Sequence, residues 1–173
     1  VTASRDRTAR VWAAGGAQSR VLAGHQGSVM SASFSADGRR IVTAADDDTV
    51  RVWDVDPAEE PVILAGGGAA TAMASASFSP DGRRVLTASA DDTVRVWDFD
   101  GPGVPQILRG HTDEVSSASF SADGRRIVTA SRDGTARVWA VDGSGESVVL
   151  GHEGAVRSAS FSADGRRIVT ASE

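Results

Sequence analysis

Three histidines stand at recurring distances from acids and hydroxyls: His25 with Asp47, His111 with Ser131 and Asp133, and His152 with Ser172. Histidine, serine and aspartate are the parts of a hydrolytic triad, in which the ring takes a proton from an exposed hydroxyl and the acid orients the ring. The spacing argues against that chemistry. All three histidines occupy one position of a repeat, whereas an active site needs a single copy. No catalytic residue is therefore assigned. The aspartate run Asp46-Asp47-Asp48 lacks the ligand spacing of an EF-hand loop and reads as turn residues, so no metal is assigned. Gly66-Gly67-Gly68 resembles a phosphate loop in composition alone, since no helix follows to present its N-terminus. No cofactor is expected.

The repeat behind these residues has a period of about 42. Trp12, Trp53, Trp97 and Trp139 lie 41, 44 and 42 residues apart, and Phe34, Phe78, Phe120 and Phe161 keep the same beat. A period of this length marks a repeat architecture. One unit shows the pattern. Residues 115–121 alternate small and apolar residues and predict a strand; Asp123-Gly124 predicts a tight turn. Residues 126–131 are β-branched and predict a second strand, Asp133-Gly134 a second turn, residues 135–141 a third strand and residues 147–150 a fourth. Nothing in the chain has helical periodicity. A single small twisted sheet leaves apolar faces open, and stacking such sheets radially covers them. The Ala- and Ser-rich first strand suits the narrow centre of such an array.

Other features bound the function. The chain has 173 residues, net charge -5 and no cysteine, which excludes disulfides and thiolate chemistry and argues against a general nucleic-acid binder. Every basic residue is arginine, and the abundance of Ala, Gly and Asp suggests a high-GC bacterial source. No apolar run approaches the roughly 20 residues that span a bilayer. A cytoplasmic location and no membrane partner are the expectation.

Gly24-His25, Gly110-His111 and Gly151-His152 before the first strand, Phe-Ser-Ala/Pro-Asp-Gly after it, and Trp53-Asp54 and Trp97-Asp98 on the third strand resemble the WD-repeat (WD40) β-propeller family. The resemblance covers essentially the whole chain. It departs where alanine follows Trp12 and Trp139, and where Gly66-Gly67 replaces a Gly-His. It implies an all-β propeller of four-stranded antiparallel blades, four repeats per chain. As one domain, residues 1–173 divide into a partial blade 1–24, whole blades 25–65, 66–109 and 110–150, and a partial blade 151–173.

The resemblance also implies a hydrogen-bonded tetrad of His, Ser/Thr, Asp and Trp in each blade. His111, Ser131, Asp133 and Trp139 form the one complete set. The second unit has Ala45 in place of the serine and the third has Gly67 in place of the histidine, so both are expected to be less rigid. The end units share one set: Ser4, Asp6 and Trp12 at the start, His152 and Ser172 at the close. These ends are complementary halves of one blade, joined within a four-bladed ring or between chains. Closure of two copies into an eight-bladed ring is the favoured expectation. Val1–Ser4 recurs as Val169–Ser172, so Val1–Ser4 or Ile168–Ser172 is then expected to be displaced or paired at an edge.

By the same resemblance, protein or peptide partners meet the face formed by the loop before strand one and the turn before strand three. The matching positions are Ser28, Met30 and Asp46; Ala72, Ala74 and Ala90; Glu114, Ser116 and Arg132; and Ala155, Arg157 and Arg5. The expected function is a non-enzymatic interaction scaffold. The alternatives are a ligand- or polyanion-binding propeller, using the channel or the paired arginines at 39–40, 83–84, 125–126 and 166–167, and a piece of a longer propeller without independent function.

Overall fold

A computed structural model describes residues 1–15, 19–56, 60–65, 72–99 and 103–173. Among these there is no helix. Three sheets have four antiparallel strands. The first holds β4 (Val29–Phe34), β5 (Arg40–Ala45), β6 (Thr49–Asp54) and β7 (Val62–Ala65); the second β8 (Met73–Phe78), β9 (Arg84–Ser89), β10 (Val94–Asp98) and β11 (Gln106–Leu108). The third holds β12 (Val115–Phe120), β13 (Arg126–Ser131), β14 (Thr135–Ala140) and β15 (Val148–Gly151). Before them lies a three-stranded sheet of β1 (Thr2–Ala3), β2 (Thr8–Trp12) and β3 (Ser19–Ala23); after them, a hairpin of β16 (Val156–Phe161) and β17 (Ile168–Ser172).

Local chemistry sets the turns. The Ser121 hydroxyl donates to Asp123 at 2.6 Å and accepts the Arg126 N–H at 2.9 Å, closing the first hairpin of its sheet. Ser35–Asp37, Ser79–Asp81 and Ser162–Asp164 repeat the device. The second hairpin needs a left-handed residue. Gly134 fills it at φ 78°, but Arg7, Asp48 and Asp92 occupy the same position at 70°, 63° and 65°. Asp tolerates that region, whereas arginine is strained there by about 1 kcal/mol. Arg7→Gly is expected to raise stability by about 0.5–1 kcal/mol and Gly134→Ala to lower it by about 1 kcal/mol or more, both read from urea denaturation.

The core lies in the seams between sheets. Val42, Val50 and Val52 of one sheet pack against Met73, Phe78, Val85 and Trp97 of the next. Leu86 and Val96 meet Val115 and Ile127 in the same way, and Val128 and Ala136 meet Val156 and Ala159. The inner strands β4, β8, β12 and β16 run side by side along the arc. Serines stitch them: Ser31 Oγ accepts the Ala76 N–H at 2.9 Å and Ser33 Oγ donates to the Ala76 carbonyl at 3.2 Å. Ser117 and Ser119 do the same for Ala159, each at 3.3 Å. These hydroxyls satisfy backbone groups that an inner edge strand would leave unpaired. At the middle seam the equivalent Ser75 and Ser77 hydroxyls are buried without a partner.

Both end sheets are incomplete. The first lacks an inner strand and the last lacks its two outer strands. Trp12 is 44% exposed, against 7% for Trp53. Val169 is 66% exposed, whereas its repeat equivalents Val42 and Val128 are at 0%. The four-repeat, all-β organisation is as expected, and among the described residues no helix is long and apolar enough to cross a membrane.

Candidate functional site

The strand register brings the indole of each third strand beside a threonine of the second. Ile127 pairs with Trp139 in the ladder, which sets Thr129 diagonally across from the indole. Trp139 Nε1 donates to Thr129 Oγ1 at 3.0 Å, His111 Nε2 lies 2.7 Å from the same oxygen, and His111 Nδ1 lies 2.8 Å from Asp133 Oδ2. The acceptor-only carboxylate assigns the ring proton to Nδ1, so Nε2 accepts the threonine proton. The chain then runs in one direction, indole to threonine to imidazole to carboxylate, with each donor satisfied. Gly110 opens this arrangement at φ 151°, where a Cβ would sit 3.1 Å from Trp139.

The hydroxyl in the chain is thus Thr129 rather than Ser131. Ser131 sits two residues further along the same face, at the strand end. There it donates to the Asp113 carbonyl at 2.8 Å and accepts the Asp133 N–H at 3.1 Å, so it pins the turn. This corrects the reading of the second unit as broken. Trp53 donates to Thr43 at 2.9 Å, His25 Nε2 lies 2.7 Å from Thr43, and His25 Nδ1 lies 3.1 Å from Asp47. Ala45 costs that unit only the turn contact.

In the third unit Trp97 donates to Thr87 at 3.2 Å, and Asp91 accepts the Thr93 hydroxyl and the Arg95 guanidinium. Ser89 accepts the Asp91 N–H at 3.4 Å, again at a turn. Gly66, Gly67 and Gly68 lie outside the described residues.

The end units hold two half chains that the structure keeps in separate sheets. Trp12 donates to Thr2 at 3.0 Å, and Asp6 accepts the Thr8 hydroxyl at 2.6 Å while its N–H reaches Ser4 Oγ at 3.3 Å. His152 Nε2 lies 2.8 Å from Thr170 Oγ1, and its Nδ1 turns to the Leu150 carbonyl at 3.2 Å. Ser172 is exposed at the end of β17. Five threonines, Thr2, Thr43, Thr87, Thr129 and Thr170, therefore hold equivalent places.

Burial alone would raise Asp133. Donation from Thr135, His111 and the Thr112 N–H outweighs it and brings the carboxyl down to about 2. Asp47 is likewise held at about 2, against its burial, by Thr49, the Gln26 N–H and His25. Burial pushes His111 and His25 below the ordinary 6.5, more than their aspartates raise them. The unfolded chain therefore takes up histidine protons first. Stability is full above about pH 6.5 and falls as pH drops from there; the aspartate contribution, present above 3.8, is lost as pH falls toward about 2. A melting series from pH 8 to 5 is expected to show Tm falling below 6.5, with a shallower fall in His111→Gln.

These groups are structural rather than catalytic in geometry: His111 and Thr129 are buried and face each other. Among the described residues no cluster of His, Asp or Glu could hold a metal. Asp47 of the aspartate run belongs to the polar chain, while Asp46 stands exposed at the turn.

The rim positions share one end of the sheets. Backbone bonds join Asp46 to Ser28 at 2.9 Å, Ala90 to Ala72 at 3.0 Å, Arg132 to Glu114 at 3.0 Å and Glu173 to Ala155 at 3.1 Å. Each inner strand carries a register shift just after its first residue, between Val29/Ser31, Met73/Ser75, Val115/Ser117 and Val156/Ser158. Met30, Ala74, Ser116 and Arg157 are the extra residues. A bulge of this kind re-aims a side chain, which sequence pattern does not reveal. Met30 and Arg157 are exposed; Arg132 bridges Glu114 at 3.1 Å, and Arg157 pairs with Glu173. Arg5 is exposed in the first sheet.

At the opposite end the paired arginines divide. Arg40 lies 4.7 Å over the Phe99 ring and bridges Asp54 at 3.7 Å; Arg126 lies 5.1 Å over Phe161 and donates to the Gly165 carbonyl at 2.6 Å. Each thereby clasps the next sheet. Arg39, Arg83, Arg125 and Arg166 remain exposed.

Stacked antiparallel sheets, three of them four-stranded, each tied by an indole–threonine–histidine–aspartate chain or part of one, define a repeat protein of the β-propeller type. The chain belongs to the WD40 family (WD domain, G-beta repeat), which it matches over residues 16–54, 64–98, 104–140 and 145–173. It is similar to nuclear distribution protein nudF 2 of Talaromyces marneffei, 37% identical over 54 residues, or 31% of this chain and 12% of that protein. Nuclear distribution protein PAC1 of Yarrowia lipolytica is 39% identical over 56 residues, 32% and 13% of the two chains. Vegetative incompatibility protein HET-E-1 of Podospora anserina is 49% identical over 35 residues, 20% and 3%. The matches thus span about an eighth or less of these relatives.

Proposed function

We propose that this chain is a non-enzymatic scaffold that binds protein or peptide partners at its bulged rim, and that two copies associate head to tail into an eight-bladed ring. The observation that carries the binding reading is where the repeats differ. Their strands are nearly identical, yet the bulge residue is Met30, Ala74, Ser116 or Arg157, and the turn opposite carries Asp46, Ala90 or Arg132. The size and charge presented at the rim thus change from unit to unit on an unchanged frame. The relatives named for nuclear distribution and vegetative incompatibility fit a module that serves different partners on one frame.

The binding reading is tested by screening a peptide array against the chain and against Met30→Asp/Arg157→Glu. Ligands lost in the variant, at unchanged melting temperature, support it; identical profiles overturn it. Support for association comes from large apolar side chains exposed on the end sheets, Trp12, Val21 and Val169. Sedimentation is expected to give twice 17.8 kDa. A monomer throughout the micromolar range removes the dimer.

A further inference from the structure

We propose that the cleft between β7 and the β10–β11 edge of the next sheet binds a small apolar monocarboxylate, whose carboxylate accepts a hydrogen bond from Arg95. The site lies between two four-stranded sheets of one chain. No residue of the end sheets enters it, so it is independent of the association above.

Three observations carry it. First, the cleft has the dimensions of a ligand site. It encloses 670 Å³; small-molecule pockets usually span about 300–1,000 Å³. Leu64, Trp97 and Phe99, which pack into the seam, line it together with the exposed Ile63, Val104 and Ile107. Exposed apolar side chains gathered around a concave surface mark a binding groove.

Second, the repeat breaks here. One arginine stands at the same place on each third strand. Arg51 lies 6.0 Å over the Trp53 ring and Arg137 lies 5.9 Å over Trp139. In both of those units a histidine holds the aspartate of the turn. The sequence offers the third unit no such histidine, since Gly67 stands at its place. Arg95 takes the histidine's part instead and donates through Nη2 to Asp91. The unit that departs from the polar chain is thus the one whose arginine lines the cleft.

Third, that arginine has a donor to spare. Its side chain is 6% exposed, and Nη1 is buried with no hydrogen-bond partner. A buried charged donor without an acceptor is costly, and an acceptor entering the cleft relieves that cost. Guanidinium nitrogens only donate, so an ammonium group is refused. A carboxylate makes a charge-assisted bond, about twice as strong as that of a neutral carbonyl. Asp91 is already engaged by the Thr93 hydroxyl, the Thr93 N–H and Arg95. The other charges of the lining, Asp98 and Arg109, are exposed and opposite in sign.

The test is calorimetric titration of the full chain with octanoate, octanamide and octylamine, read beside the indole N–H resonances of the four tryptophans. Octanoate is expected to bind saturably with Kd below about 1 mM and to move the Trp97 resonance while those of Trp53 and Trp139 stay. Octanamide is expected to bind about tenfold more weakly, and octylamine not at all. Arg95→Gln is expected to weaken octanoate binding about tenfold or more. Because Arg95 also holds Asp91, a second variant is placed at an exposed position: Val104→Asp is expected to weaken binding as much at unchanged melting temperature. Octanamide or octylamine bound as tightly as octanoate overturns the carboxylate. Octanoate bound equally by wild type and both variants overturns the cleft, as does the absence of saturable binding up to about 10 mM.

Discussion

Thr129→Val is expected to lower the unfolding free energy by about 2–4 kcal/mol. The hydroxyl serves two partners at once, the half-buried Trp139 indole and the buried His111 Nε2. Removing it leaves both without that partner, at about 1–3 kcal/mol for the buried histidine and less for the half-buried indole. The added methyl keeps the volume, so little of the loss is cavity. Thr43→Val should behave alike, because its three contacts match those of Thr129. Ser131→Ala is expected to cost about 1 kcal/mol or less. Its hydroxyl bonds a single carbonyl and a single N–H at a turn, and Ala45 already fills that place in the second unit. Urea denaturation of the three variants decides between the hydroxyls. A Ser131→Ala loss equal to that of Thr129→Val would return the serine to the chain.

That contrast shows what the residues disclose and what they withhold. The strands at 115–120, 126–131 and 135–140 are legible because β-branched runs alternate with Asp-Gly turns, and because four copies of the pattern agree. The identity of the hub hydroxyl is not. Thr129 and Ser131 are both hydroxyls, two residues apart and on one face. Only the pairing of Ile127 with Trp139 sets which of them reaches the indole. The placement of Met30, Ala74, Ser116 and Arg157 at one repeat-equivalent position is legible in the sequence. Its cause, an extra residue per inner strand, depends on the partner strand and has no signature in composition. Nor did the Ser-Ala-Ser triplets announce themselves as latches. Ser31 and Ser33 read as small residues in a crowded strand until Ala76 of the next sheet is seen between them.

Trp53→Ala and Trp12→Ala are expected to fail in different ways. Trp53 is buried among Ile41, Leu22 and Ala9, so its removal opens a cavity at the seam and frees Thr43 from its donor; the loss is about 3–5 kcal/mol in the isolated chain. Trp12 leaves 44% of its surface in solvent and lies in a sheet that lacks its inner strand, so truncation costs the isolated chain only about 1–2 kcal/mol. In the head-to-tail association proposed above, its exposed ring lies at the contact between copies. Trp12→Ala should therefore weaken association about tenfold or more while lowering the melting of the monomer by only a few degrees, and Trp53→Ala should lower the melting far more than it weakens association. Melting at low concentration and sedimentation at high concentration separate the two. Equal effects of both variants on association would mean that the first sheet is no part of the contact. Under the proposed association, the difference in burial between two residues of one type, at one repeat position, separates a residue that holds one chain together from one that holds two copies to each other.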